Sequence, residues 1–262
     1  MSRYGIVSNH WAFNANTLLL QRPFMKSCYC AINYIRSIIF YAGYIISLLV
    51  IGLLSVLLLL LPSRIAAPVV LLWNRFVLLW LRICCGIHYQ INGDLTAVTR
   101  PCVVVVNHQS PWETIFLQLQ FYPLTTVLKR ELLRIPFFGW GMRILEPIAI
   151  DRSHPMQALK QIKRVGVERL NEGRSVLVFP EGTRQPVNKL GNFARSGADI
   201  AKSAGVPIVM ISHNAGEHWA NKKILKTPGT VIVNVSDAVY IGDKNTKEVM
   251  QDIKQWMENK YR

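Results

Sequence analysis

The sequence predicts an α/β domain, a mostly parallel mixed sheet covered by helices, preceded by an apolar N-terminal helical segment that binds a membrane. Three observations carry this prediction. From about residue 88 onward, short continuous apolar runs alternate with polar helical patterns, and an apolar strand next to a helix marks a parallel sheet covered on both faces. Before them, Ser37 to Leu61 is free of charge for 25 residues. The whole chain is 51% hydrophobic and only 17% charged, with a mean hydropathy of +0.23, whereas a soluble domain is about 25% charged. That composition excludes a disordered chain, which cannot be this apolar, and argues against a wholly water-soluble enzyme. Its 262 residues suffice for one α/β domain with an extra element, or for two small domains.

Taken in order, residues 1–24 match no pattern, and Met25-Lys26 before the apolar run would make a natural start. Residues 1–36 are therefore expected to be a poorly ordered extension. The run from Ser37 to Leu61 exceeds the about 20 residues that span a bilayer. Its core is longer than the about 7–15 residues of a secretory signal, so it reads as a retained anchor, stopped by Pro62. A second apolar segment, Ile65–Ile87, contains Asn74, Arg75 and Arg82. Charges are costly at mid-membrane, so this segment predicts a helix lying in the interface with its arginines snorkelling to the headgroups. Residues 37–87 thus form the anchoring segment and 88–262 the catalytic domain.

Within that domain, Cys102–Val106, Thr125–Leu128, Ile148–Ile150, Ser175–Phe179, Val206–Ser212 and Thr230–Val235 read as strands. Helices are expected at roughly 111–121, 155–172 and 195–204, and from about Thr246 to the end. The last of these places Val249, Met250, Ile253, Trp256 and Met257 on one face.

The charge is lopsided. The chain carries 30 basic and 15 acidic residues, a net +15, and its first 93 residues hold seven basic residues and no acidic one. A basic, apolar N-terminal third suits an anionic membrane surface. The basic residues there flank apolar runs and form no basic stripe, so nucleic acid is not the expected partner. The five cysteines are odd in number and lack zinc spacing, which fits reduced thiols on the cytoplasmic side.

Two motifs carry chemistry. Asn107-His108-Gln109-Ser110-Pro111-Trp112-Glu113 follows the first strand of valines. Ser110 as N-cap, Pro111 at N1 and Glu113 at N3 would make a capping box, which by itself accounts for Glu113. His108 then sits at the strand's C-terminal end, where ligands of open α/β sheets bind. From there its imidazole can meet the Glu113 carboxylate, and a carboxylate-backed histidine is a general base for a hydroxyl. The second motif, Phe179-Pro180-Glu181-Gly182-Thr183-Arg184, follows the strand Ser175–Phe179. Gly182 lets a ligand approach the backbone, and Arg184 offers a planar fork that fits phosphate. An ordinary turn with a Glu–Arg surface pair is the simpler reading of this motif alone. Lys129, Arg130 and Arg152 follow other strands. Together these cations would suit a phosphorylated substrate beside a base, though each alone is equally well a surface charge. His213-Asn214-Ala215-Gly216-Glu217-His218 lacks the spacing of a zinc-binding HExxH motif. No G-x-S-x-G, P-loop or G-x-G-x-x-G occurs.

Taken together, these blocks resemble the glycerophospholipid acyltransferase family, and within it the members that acylate 1-acyl-glycerol 3-phosphate. Asn107-His108 with Glu113 matches the family's NHx4D block. Lys129 to Gly139 (KRELLRIPFFG) looks like its second block, Phe179–Arg184 (FPEGTR) like its third and Val206–Val209 like its fourth. The resemblance covers about residues 40–240. Two departures stand out: Glu113 occupies a position that is usually Asp, and Met210 one that is often Pro.

The resemblance implies an α/β domain behind a two-helix membrane motif, which residues 37–87 look like. It implies transfer of a fatty acyl group from acyl-CoA or acyl carrier protein to the 2-hydroxyl of lysophosphatidic acid, giving phosphatidic acid. His108 would be the base and Glu113 its orienting carboxylate. Lys129, Arg130 and Arg184 would meet the acceptor phosphate, with Glu181, Gly182 and Thr183 shaping its site. Arg152 is a weaker candidate for the phosphate, suggested by its position alone. No metal or bound cofactor is implied. The expected place is the inner membrane, with the catalytic domain on its cytoplasmic side. The rivals are an acyltransferase for glycerol 3-phosphate or another lysophospholipid, and a catalytically silent, membrane-anchored protein that binds anionic lipid.

Overall fold

The structure is a computed structural model that describes residues 23–260. It opens with two long helices, α1 (Pro23–Leu58) and α2 (Ser63–Cys85). The turn between them ends at Pro62, which has an extended backbone and no amide N–H to leave unpaired at the start of α2. Gly86, in the left-handed region at φ 64°, closes α2 and hands the chain to β1. Helix α1 starts well before the expected boundary at Ser37. Residues 23–36 continue the helix and do not belong to an extension. Its polar positions Asn33 and Ser37 are buried against the domain, so docking, and not apolar composition, extends the helix. The part of the expected extension before Pro23 lies outside the described residues.

Seven strands follow: β1 (Ile87–Asn92), β2 (Val103–Val106), β3 (Leu124–Lys129), β4 (Ile148–Ile150), β5 (Ser175–Val178), β6 (Ile208–His213) and β7 (Gly229–Val235). They form one sheet in the order β1-β7-β6-β2-β5-β3-β4. All neighbours are parallel except β6 and β7. The sheet is therefore mixed and mostly parallel, as the apolar runs predict, and the β1–β7 pair runs against the other five strands. Strands β2, β5 and β6 are buried at every residue, which explains why they read as unbroken runs of valine and isoleucine and do not alternate.

The side-chain period of two sorts these strands into two layers. Val104, Val106, Leu177, Val209 and Ile211 face α1, α2 and α3 (Trp112–Gln120), and meet Phe40, Leu81 and Phe116. Val103, Val105, Val176, Val178 and Ile208 face the opposite side. There they meet α5 (Pro155–Asn171), α6 (Ser196–Ala204) and the C-terminal α8 (Thr246–Lys260). A third apolar cluster joins Leu58 and Val70 to Ile144 and Leu145, at the end of the short α4 (Phe138–Ile144). A one-turn helix, α7 (Ala215–His218), follows β6.

Both α1 and α2 are long and apolar enough to cross a membrane. Their outer surfaces expose Ile35, Ile46, Val50, Leu57, Leu72, Leu79 and Ile83, and a large exposed apolar surface of this kind marks a membrane or partner interface. This surface associates the protein with a membrane.

Candidate active site

The parallel strands β2 to β6 end on one edge of the sheet, and the sequence motifs collect there. Beyond β2 the chain turns at Asn107-His108 and enters α3 through Ser110-Pro111. The hydroxyl of Ser110 accepts the Trp112 N–H (3.1 Å), and Glu113 Oε1 accepts the Ser110 N–H (2.9 Å). The Glu113 bond is that of a capping box, while the Ser110 hydroxyl takes the N2 amide in place of the N3 amide. The same Oε1 accepts the Gln109 N–H (3.0 Å) and lies 2.8 Å from His108 Nδ1. The cap and the histidine pair are thus one arrangement, and the two sequence readings of Glu113 do not compete.

Glu113 is fully buried. Burial alone would raise its pKa, but the bond from His108, the nearby His213 and the backbone N–H groups hold it below its ordinary value. An ionised carboxylate only accepts hydrogen bonds, so His108 Nδ1 carries the proton and Nε2 presents a lone pair. The His108 side chain remains 17% exposed, and its ring stacks on Phe179 at 4.0 Å between centroids.

The FPEGTR turn frames this histidine from β5. Both carboxylate oxygens of Glu181 hold backbone amides. Its Oε1 accepts the His108 N–H (2.9 Å) and its Oε2 the Gly191 N–H (2.8 Å). Burial still leaves its carboxyl above the ordinary range, against the lowering effect of those bonds. Gln185 N–H closes the frame on the His108 carbonyl at 2.8 Å. Gly182 adopts φ 68°, the left-handed region, and a Cβ there would meet nothing within 4 Å. That backbone conformation favours glycine, and Gly182 also lines the cavity beside His108. Arg184 donates from Nη1 to Asn221 Oδ1 (3.2 Å), while its Nε is buried and unpartnered among the described residues.

A cavity of about 460 Å³ opens beside His108, within the usual range for a small-molecule or lipid-chain site. Lys129, Arg152, Gly182 and Arg184 line it together with His108 and Phe179. Its apolar walls come from both layers, with Tyr44, Leu48 and Ile51 of α1, Val70 and Trp73 of α2, and Phe138 and Met142 of α4. The structure thus brings together six residues singled out in the sequence: His108, Glu113, Lys129, Arg152, Gly182 and Arg184. It leaves out Arg130 and Thr183, which are exposed and outside the cavity lining. Glu181 serves as a backbone strap. Lys129 also pairs with Glu131 at 3.4 Å. Sequence reasoning missed Asn221, His213 and the cavity walls from α1 and α2. Phe179 was visible as the first residue of its motif but carried no assigned role.

The chemistry available is that of an oriented imidazole at the head of an apolar cavity, with guanidinium and ammonium groups beside it. This is a class of membrane-associated α/β domain suited to activating a hydroxyl on an amphiphilic, anionic substrate. The comparisons agree with it. The Acyltransferase family model matches residues 88–214. A Pseudomonas aeruginosa protein named 1-acyl-sn-glycerol-3-phosphate acyltransferase is 43% identical over 231 residues, 86% of this chain and 90% of that protein. The human 1-acyl-sn-glycerol-3-phosphate acyltransferase beta is 33% identical over 143 residues, about half of each chain (53% and 51%). The crystal structure of the 1-acyl-sn-glycerophosphate acyltransferase from Thermotoga maritima superposes with a TM-score of 0.72 at 21% identity. It covers 87% of this chain and 94% of that one, which is a likeness of fold. The chain belongs to the 1-acyl-sn-glycerol-3-phosphate acyltransferase family.

Proposed function

We propose that the protein transfers a fatty acyl group from an acyl thioester to the 2-hydroxyl of lysophosphatidic acid, giving phosphatidic acid. The observation that carries this reading is the His108–Glu113 pair at the mouth of an apolar cavity that also bears Arg184, Lys129 and Arg152. His108 Nε2 removes the proton from the acceptor hydroxyl as its oxygen attacks the thioester carbonyl. Glu113 holds the tautomer and stabilises the imidazolium. The tetrahedral adduct collapses, the carbon–sulfur bond breaks, and the leaving thiolate takes the proton from His108. The acceptor is the nucleophile, so the reaction needs no acyl-enzyme and no bound cofactor. The donor is acyl-CoA or acyl carrier protein.

The same reading places α1 and α2 half-immersed in one leaflet. Asn33, Ser37, Phe40, Ser55 and Leu58 are buried against protein, so one face of α1 is covered near both ends while the opposite face is apolar. A helix so docked lies along the interface and does not cross it alone. Basic residues without acidic partners in the first 93 positions favour the cytoplasmic leaflet of the inner membrane. Labelling of a cysteine introduced at Ser63 from the outside of intact cells would contradict that placement.

The testing experiment is acyl transfer by the purified protein in mixed micelles, across acyl-CoA and acyl carrier protein donors. The acceptors are lysophosphatidic acid, glycerol 3-phosphate, lysophosphatidylethanolamine and monoacylglycerol. Lysophosphatidic acid is expected to have the highest kcat/KM. Arg184→Lys is expected to lower that value by roughly tenfold to a hundredfold, because Lys loses the forked geometry for phosphate. The same substitution should barely change the poor reaction of monoacylglycerol. An equal loss with both acceptors would make Arg184 a structural residue held by Asn221.

A further inference from the structure

We propose that His213, at the end of β6, is a positioning residue for the His108–Glu113 pair, locking residue 107 in place and facing the second oxygen of Glu113. The proposal rests on the acyl-transfer reading only for its kinetic arm.

His213 belongs to the segment that failed as a zinc motif, and its side chain is 1% exposed. Its ring nitrogens are both engaged. Nδ1 accepts the Ala215 N–H at 3.2 Å, so the ring proton sits on Nε2, which donates to the Asn107 carbonyl at 2.9 Å. The Asn107 side chain answers, with Oδ1 accepting the His213 N–H (3.0 Å) and Nδ2 donating to the His213 carbonyl (2.9 Å). Strands β2 and β6 are neighbours in the sheet, and this three-bond lock fastens them just where the ladder ends. Asn107 immediately precedes His108, so the lock fixes the peptide from which the base projects.

The second contact is electrostatic. Glu113 Oε2 is buried and has no hydrogen-bond partner among the described residues. His213 Nε2 lies 3.9 Å from it, too far for a hydrogen bond but close enough for the ring's dipole to act on a charge in a poorly polarisable interior. The titratable groups around this carboxylate are His108 at 2.8 Å, His213 at 3.9 Å and Glu181, whose charge opposes its own. Burial lowers the pKa of His213, so it stays neutral and presents an N–H without a competing positive charge. With both nitrogens occupied it has no lone pair for the substrate, and its action is exerted through Asn107 and Glu113.

The test compares two amides in the full-length protein in micelles. Asparagine at 213 can imitate Nδ1 towards Ala215 but reaches neither the Asn107 carbonyl nor Glu113. Glutamine places an N–H donor near the Nε2 position. His213→Asn is expected to lower kcat roughly tenfold or more, with the lysophosphatidic acid KM within about twofold. Without the nearby His213 dipole the Glu113 carboxylate binds protons more tightly, so the pair does too. The titration of His108, followed by NMR of ¹⁵N-histidine-labelled protein, and the acid limb of kcat/KM should both move up by roughly half a pH unit to one unit. His213→Gln should restore most of the rate and the original titration.

Wild-type kcat and titration in His213→Asn would overturn the proposal. Equal losses in both variants, following the fall in Tm while His108 titrates as in wild type, would overturn it too and leave His213 a packing residue. Should asparagine not be tolerated, a displaced His108 titration in His213→Gln is the overturning result. If the wild type fails to acylate lysophosphatidic acid, the functional reading falls, and the NMR titration still decides the role of His213.

Discussion

Glu113 does two things with one oxygen. Its Oε1 takes hydrogen bonds from His108 Nδ1, Gln109 N–H and Ser110 N–H, so the helix cap and the orientation of the base are a single structure. The negative charge can be separated from the cap. In Glu113→Gln the amide oxygen still accepts the backbone donors, as glutamine does in capping boxes, while the charge that supports the imidazolium is gone. The expected outcome is a Tm close to wild type and a kcat lower by about 10²-fold or more. His108→Ala should lose at least about 10²-fold and remain folded. The depressed pKa of Glu113 also sets a sign. A carboxyl with a lowered folded-state pKa adds stability above its unfolded value of about 4.3, and this is lost as the pH falls through the folded value. Thermal unfolding from pH 7 down to 3 should therefore show a loss in the wild type that Glu113→Gln lacks. This pair was legible in the sequence because the five-residue spacing and a Ser-Pro helix start fix its geometry locally. Glu181 straps the amides of His108 and Gly191, a role the sequence does not show because the fold makes those contacts. Asn221 and His213 were invisible as site residues because other strands and loops deliver them.

Among the elements, the buried parallel strands were the most legible, since burial on both faces leaves an unbroken apolar signature. The sequence predicts no helix or strand over the stretch 130–144. It is a 3-10 turn (Arg130–Arg134) with no buried residue, then a seven-residue α4 entered through Phe137 at φ 63°, too short and irregular to show a period. The segment 219–228 was likewise silent, yet it ties the active-site edge to α1. Lys226, 1% exposed, donates from Nζ to Tyr41 Oη (2.8 Å) and to the carbonyls of Lys223 (2.9 Å) and Ile224 (2.8 Å). It also lies 4.4 Å from the centre of the Tyr41 ring, and the same segment carries Asn221, the partner of Arg184. Burial pushes the pKa of Lys226 down to about 8 from 10.5. The folded state therefore holds fewer protons than the unfolded one between those values, and stability should rise with pH across that window. Lys226→Met removes the titrating group. Its unfolding midpoint should lack that rise between pH 8 and 10.5 relative to wild type, and its Arg184-dependent preference for the phosphorylated acceptor should weaken as the segment loosens. A parallel pH dependence in both proteins would show that Lys226 is not the group responsible.

For the whole molecule, the sequence suggests an anchor followed by a catalytic domain, and the structure joins the two. Phe40 of α1 is fully buried in the same cluster as Val104, Val106 and Trp112, and its ring meets Trp219 edge-on at 5.1 Å. Ser37 of the same helix accepts the Lys226 N–H at 2.8 Å. The sequence could not show this, because an apolar helix that lies on a membrane and one that completes a core have the same composition. The only clue is which stripe faces inward, and that depends on the partner. The two roles can be separated by substitutions on opposite faces. Phe40→Ala leaves a cavity in the shared core, a change that costs about 3–5 kcal/mol. It should lower the unfolding midpoint of the catalytic domain in micelles, read by tryptophan fluorescence, while leaving vesicle binding intact because Phe40 touches no lipid. Ile46, 62% exposed on the outer face, should behave in the opposite way. Ile46→Ser should weaken partition into vesicles of anionic lipid and leave the midpoint within about 0.5 kcal/mol of wild type. If α1 were only a tether, Phe40→Ala would leave the midpoint where it is, and removing residues before Ser63 would release an active soluble domain. Since Tyr44, Leu48 and Ile51 of that helix also wall the cavity, such a truncation should instead expose the inner face of the sheet, aggregate, and turn over no acceptor at any concentration of lipid.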